Sequence, residues 1–209
     1  MKAIIILRML VLIVGLFTLI TACTDEESDK SIEDLENAVM GNEDKEALLF
    51  MLEEEKLARD TYRFLDDLWA INQFSNIKES EQSHMNSVIT LLEQNAIEYT
   101  ILPDGEFANS EIQELYDQFI IDGSIDEKLA LRVGATIEDL DIVDLENYLQ
   151  SSKNDAITSV FENLQCGSRN HLKSFVVALE QYETSYEPQY LTVNDYELII
   201  SSSREQCGR

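Results

Sequence analysis

Ile77-Lys78-Glu79-Ser80-Glu81-Gln82-Ser83-His84-Met85-Asn86-Ser87-Val88-Ile89-Thr90-Leu91-Leu92 places Ile77, Glu81, His84, Val88 and Leu91 at alternating steps of four and three. That spacing puts all five on one face of a helix. The face is apolar at both ends and carries a carboxylate and an imidazole in the middle. The spacing predicts a helix over about 76–95 whose inward stripe is polar at mid-length.

Three other segments read the same way. From about Glu43 to Trp69 the stripe is Leu48, Met51, Glu55, Ala58, Tyr62, Leu65 and Trp69. From about Asp126 to Leu149, with room for a break, it is Leu131, Gly134, Glu138, Asp141, Leu145 and Tyr148. From about Asp155 to Tyr182 it is Ile157, Phe161, Leu164, Ser168, His171, Phe175, Ala178 and Tyr182. Four amphipathic helices of this length predict an all-α four-helix bundle over residues 43–185. Between the second and third lie Pro103-Asp104-Gly105, a turn signal, and a short helix over Glu111 to Ile121 with Ser110 placed to cap it. So long a connection implies a crossover, because adjacent antiparallel helices need only a few residues. Residues 186–209 read as a tail packed on the bundle.

The remaining features bound the function. The chain has 209 residues and a formal charge of −26, which excludes a nucleic-acid partner because phosphate contacts need clustered cations. Lys2 and Arg8 precede an apolar run, Met9 to Ile20, which ends at Ile20-Thr21-Ala22-Cys23. This reads as a secretory signal over residues 1–22, and its end resembles a bacterial lipobox with Cys23 as the lipidated residue. The expected location is the cell envelope, outside the cytoplasm, with lipidated Cys23 as the membrane anchor. Residues 23–42 form an acidic tether. Cys166 and Cys207 would then lie in an oxidising compartment, where they either pair or remain as a buried and a free thiol.

Glu55, Glu81, His84, Glu138, Asp141 and His171 interrupt all four stripes near mid-length. A carboxylate in a bundle core costs several kcal/mol unless it is paired or bound to a cation, so six such interruptions call for a common cause. A metal centre supplies one. Glu81-x-x-His84 sets two ligands on adjacent turns, and carboxylate-bridged di-iron bundles take one Glu from each of two helices and a Glu-x-x-His from each of the others. The donors suit two iron ions, or manganese. The fourth helix departs from this pattern, having Ser168 three residues before His171. Either Asp141 replaces the missing carboxylate, or one metal position is weak.

Glu55-Lys56-Leu57-Ala58-Arg59-Asp60-Thr61-Tyr62 resembles the first-helix signature of rubrerythrin-like members of the ferritin-like superfamily. Together with ESEQSHM, LRVGATIEDLDIVDL, GSRNHLKSF and YEPQYL, it is similar to an uncharacterised bacterial ferritin-like domain family. The resemblance implies a ferritin-like bundle with a di-iron site and does not fix a reaction. Rubrerythrins reduce peroxide with a four-cysteine iron domain as electron donor. This chain has no CxxC pair, so a peroxide- or dioxygen-linked oxidoreductase activity would draw electrons from a separate donor protein. Tyr62 is a candidate for hydrogen-bonding the site, against a plain core aromatic with a satisfied hydroxyl, and Arg59 or Arg132 for balancing its charge, against surface pairing with the plentiful acids. The alternative is a non-catalytic metal-binding or structural lipoprotein whose site has partly decayed.

Overall fold

A computed structural model describes residues 40–208 of the chain. The signal segment, the Cys23 lipidation site and most of the acidic tether lie outside these residues. Six α-helices and no strands are present among the described residues: α1 (Asn42–Trp69), α2 (Asn72–Gln94), α3 (Ser110–Gly123), α4 (Glu127–Ser151), α5 (Asp155–Glu180) and α6 (Val193–Ser201). The four long helices form a bundle in which α1 packs mainly on α2 and α4 on α5. The two pairs meet through α1–α4 and α2–α5 contacts. None of the described helices is long and apolar enough to cross a membrane.

Two apolar clusters lie toward opposite ends of the bundle. One gathers Tyr62, Phe74 and Phe175, with ring centroids 5.4–5.7 Å apart. The other gathers Leu48, Met51, Met85, Leu92, Leu145 and Phe161. The polar residues of the four stripes fall in the layer between them.

Several boundaries differ from the sequence reading. The second helix begins at Asn72 rather than near Asn76, because Ala70 takes a left-handed conformation (φ 52°) that closes α1 at once. Left-handed backbone at a helix end is normally signalled by Gly, and this turn carries none. The cap of α3 is Asn109, whose side chain accepts from the N–H groups of Glu111 and Ile112, instead of Ser110. The third long helix runs to Ser151 without a break. The tail contains a helix, α6, that periodicity had not suggested.

Buried charges fasten the crossover and the tail. Lys56 donates to Asp60 and to the carbonyls of Pro103 and Glu106, and its ammonium lies 4.2 Å from the centre of the Phe107 ring. Asp60 also accepts from Arg59 and from the N–H of Gly105, whose φ of +80° sets the Pro-Asp-Gly turn. Fully buried Asp139 accepts from the Tyr186 hydroxyl and from the N–H groups of Gln189, Tyr190 and Leu191. It therefore folds the YEPQYL segment onto α4. Cys166 and Cys207 are joined by a disulfide that ties the end of the tail to α5.

Candidate metal centre

Glu81, on α2, lies at the middle of the polar layer. Its Oε2 sits 2.8 Å from Nδ1 of His84, and its Oε1 sits 2.8 Å from Nδ1 of His171 on α5. Glu55, from α1, brings Oε2 to 3.1 Å from His84 Nδ1, and Glu138, from α4, brings Oε2 to 3.5 Å from His171 Nδ1. Two groups of converging donors result, Glu55–Glu81–His84 and Glu81–Glu138–His171, each with its ligand atoms within 4.8 Å of one another. Glu81 belongs to both.

The His84–Glu55 contact is a hydrogen bond, but the others do not satisfy the remaining polar atoms. Glu81 Oε1 and His171 Nδ1 are both buried and have no hydrogen-bond partner, although they lie 2.8 Å apart. Each approaches the other outside hydrogen-bonding geometry, as two ligands pointing at a common third atom do. Donors bound to one metal at about 2.1 Å and near a right angle lie about 3 Å apart. Glu55 Oε1 is a further buried oxygen without a partner. The donor set of carboxylates and imidazoles fits divalent ions of intermediate hardness.

Electrostatics tie the cluster together. Burial opposes ionisation of Glu81, but His171 and His84 outweigh it and hold its carboxyl well below the usual range. Burial also disfavours the His171 cation, yet Glu81 and Glu138 hold its pKa at about 10. Burial raises Glu55 and Glu138 despite their imidazole neighbours. Without metal, the imidazoles thus serve as the counter-cations of a carboxylate-rich core.

Asp141 is 5% exposed and sits beside this cluster without joining either group of converging donors. The hydroxyl of Ser168 donates to its Oδ2, while Oδ1 is buried and unpartnered. Burial raises its pKa to about 8, with Glu138 and Glu81 adding to the effect and the Ser168 bond opposing it. Ser168 therefore does not leave a gap where the pattern wants Glu. It grips the carboxylate that the facing helix supplies.

Of the flanking residues, Tyr62 reaches the cluster and the two arginines do not. The buried Tyr62 donates its hydroxyl to Glu138 Oε1 at 2.6 Å, which orients that carboxylate. Arg59 is engaged by Asp60, Gln82 and Asp104, and Arg132 by Thr184 and Ser185. Neither hydrogen-bonds any of the six candidate ligands, because Arg59 holds the crossover and Arg132 the tail. Gly167 is a further site residue that the stripes did not mark. A Cβ there would lie 2.6 Å from His84 Nε2, so the His84 ring fits only because residue 167 has no side chain. A cleft of about 550 Å³ between α2 and α5, lined in part by Asn76, Ser80, His171 and Lys173, reaches the cluster from the surface.

Residues 44–203 match the family described as "Uncharacterized protein domain (DUF2202)". The chain belongs to this family. It is similar to "Uncharacterized protein MJ0754" of Methanocaldococcus jannaschii, with 47% identity over 177 residues, covering 84% of this chain and 96% of the relative. The crystal structure of hypothetical protein MJ0754 from Methanococcus jannaschii superposes with a TM-score of 0.78 at 48% identity. It covers 79% of this chain and 96% of that one. The fold of this DUF2202 chain is accordingly an all-helical bundle shared with a solved relative.

Proposed function

We propose that this DUF2202 protein is a ferritin-like metal-binding protein with a carboxylate-bridged pair of iron or manganese ions, carried on a lipid-anchored chain of the cell envelope. The observation that carries the reading is Glu81, whose two oxygens each lie 2.8 Å from an imidazole nitrogen, the His171 contact outside hydrogen-bonding geometry. Glu55 and His84 would complete one position, and Glu138 and His171 the other. Asp141, held by Ser168, supplies a further carboxylate beside both.

Two redox-active ions in such a site would supply one-electron steps and an open position for dioxygen or peroxide. The protein's own groups prepare for that chemistry. Tyr62 keeps its proton, since burial first and Glu138 second push its pKa well up, and it thereby fixes Glu138 as an acceptor. The cleft of about 550 Å³ beside His171 has room for a small oxidant. With three cysteines in the chain, electrons would come from a separate donor protein.

The test is metal content after anaerobic loading with ferrous iron and desalting. Glu81→Ala is expected to bind two fewer ions per chain than the wild type while remaining helical. Equal metal content in the two proteins would refute the reading. Rapid reoxidation of the loaded protein by peroxide would then separate an oxidoreductase from a metal-binding module without turnover.

A further inference from the structure

The cleft between α2 and α5 differs in charge from the rest of the surface. The chain carries 41 acidic and 15 basic residues, so a cleft lined at random is acidic. Four other clefts of the described residues each hold at least one carboxylate. The described residues lining this one include Lys173 and Arg204 and no Asp or Glu. Its other polar walls are amides and hydroxyls, among them Gln73, Asn76, Ser80 and Ser174, all of which can donate hydrogen bonds.

The end of the tail sets one of these cations in place. Cys207 is tied to Cys166, and Glu205 accepts from Arg169 at 2.7 and 2.8 Å. The N–H of Glu205 donates to Asn170 Oδ1, and the Asn170 amide returns a bond to the Glu205 carbonyl. Arg204 is thereby held at the cleft with its side chain exposed and with no acidic partner among the described residues. Lys173 donates to the Ser203 carbonyl at 3.0 Å and lies 3.6 Å from Glu205. Arg169 already answers the charge of that carboxylate, so the Lys173 ammonium keeps its attraction for an anion and has further N–H groups to offer.

Cations set among amide and hydroxyl donors are the donor set that oxyanions need. The acid excess elsewhere on the chain does not cancel it. Exposed charges are screened beyond about 8 Å at physiological ionic strength, so the groups lining the cleft dominate the potential inside it. The inner end of the cleft is His171. Its contacts with Glu81 and Glu138 run through Nδ1, and Nε2, on the opposite edge of the ring, takes no part in them. A metal-ligating imidazole is oriented by an acceptor on its other nitrogen, and an oxyanion in the cleft would be one.

We propose that this cleft is a binding site for one small oxyanion, a phosphate or carboxylate group, held by Lys173 and Arg204 with the amides and hydroxyls of the cleft as further donors. The inference deepens the metal-centre reading by naming the class of small molecule admitted beside it. It rests on that reading only through His171, since both cations and their neighbours stand without metal. Inorganic phosphate is the probe.

The experiment is titration of the metal-free chain with inorganic phosphate at low ionic strength, followed by the phosphorus NMR line width of the ion. The wild type is expected to bind one phosphate. Arg204→Ala should bind it about tenfold more weakly, the loss expected for one charge-assisted hydrogen bond, and Lys173→Gln should weaken it to a similar extent. Arg204 is exposed, so its replacement leaves the core intact. Lys153→Ala removes an exposed cation just before the start of α5 and should change nothing. No binding by the wild type would overturn the proposal, as would equal weakening in Lys153→Ala and Arg204→Ala, which would show attraction by overall charge alone. Acetate bound in preference to phosphate would uphold the site and make its natural group a carboxylate. Phosphate bound by a chain that takes up no iron would uphold this site while refuting the metal-centre reading.

Discussion

Gly167→Ala separates a metal centre from a merely polar core. The new Cβ would stand 2.6 Å from His84 Nε2 and 2.7 Å from Cε1. Ordinary contact requires the ring to retreat by about 1 Å, several times the roughly 0.2 Å latitude of a metal–ligand distance. Overpacking costs about 1–3 kcal/mol, and replacing a helical Gly by Ala returns up to about 1 kcal/mol. The metal-free variant should therefore be destabilised by no more than about 3 kcal/mol. The position served by Glu55, Glu81 and His84 should fail, while that served by Glu81, Glu138 and His171 should survive. The assay is metal content after ferrous loading, paired with the melting temperature with and without metal. One ion fewer than the wild type, and a smaller metal-induced rise in melting temperature, are expected. Full metal content in a folded Gly167→Ala protein would refute the assignment of His84.

Three further outcomes follow from the same contacts. Asp139→Ala leaves the tail N–H groups and the Tyr186 hydroxyl without their acceptor; a loss of about 2–4 kcal/mol in urea unfolding is expected. Reduction of the Cys166–Cys207 disulfide, which spans 41 residues, should cost up to about 4 kcal/mol in the chain-entropy view and leave the metal content unchanged. Asp141 and His171 both have folded pKa values above their unfolded ones, at about 8 and about 10, so the folded metal-free chain holds protons that the unfolded chain gives up. Its stability should fall as pH rises from about 4 to 8 through Asp141 and from about 6.5 to 10 through His171, by about 1.4 kcal/mol per unit for each proton so held. Depressed Glu81 acts oppositely, but only near and below its ordinary range. Thermal unfolding across that range, with and without metal, checks the sign; bound metal should remove the decline.

The four long helices were legible because apolar residues recur at helical spacing, and the polar layer was legible because it breaks every stripe at the same depth. Asn72–Ser75 was missed because the preceding turn rests on a left-handed Ala70 instead of a glycine. Glu54 escaped for a physical reason. Stripe reading assumes one buried face, yet every residue from Glu54 to Tyr62 is buried, since the crossover fastened by Lys56 and Asp60 covers the outer side of α1. Val133 to Asp139 is buried continuously as well, with the tail held by Asp139 over α4. Arg59 pairs with acids, Asp60 and Asp104, and Arg132 binds the tail at Thr184 and Ser185; most of these partners lie in loops whose paths periodicity does not report. The departure at Ser168 was visible, but its grip on Asp141 depends on how α4 and α5 face each other.

The most direct test of the central claim is anomalous X-ray scattering at the iron edge from crystals of the loaded protein. Two peaks about 3.5–4 Å apart, on either side of the Glu81 carboxylate and within ligand distance of His84 and His171, are expected. An iron-treated crystal with no peak beside Glu81, in an otherwise intact bundle, would contradict it.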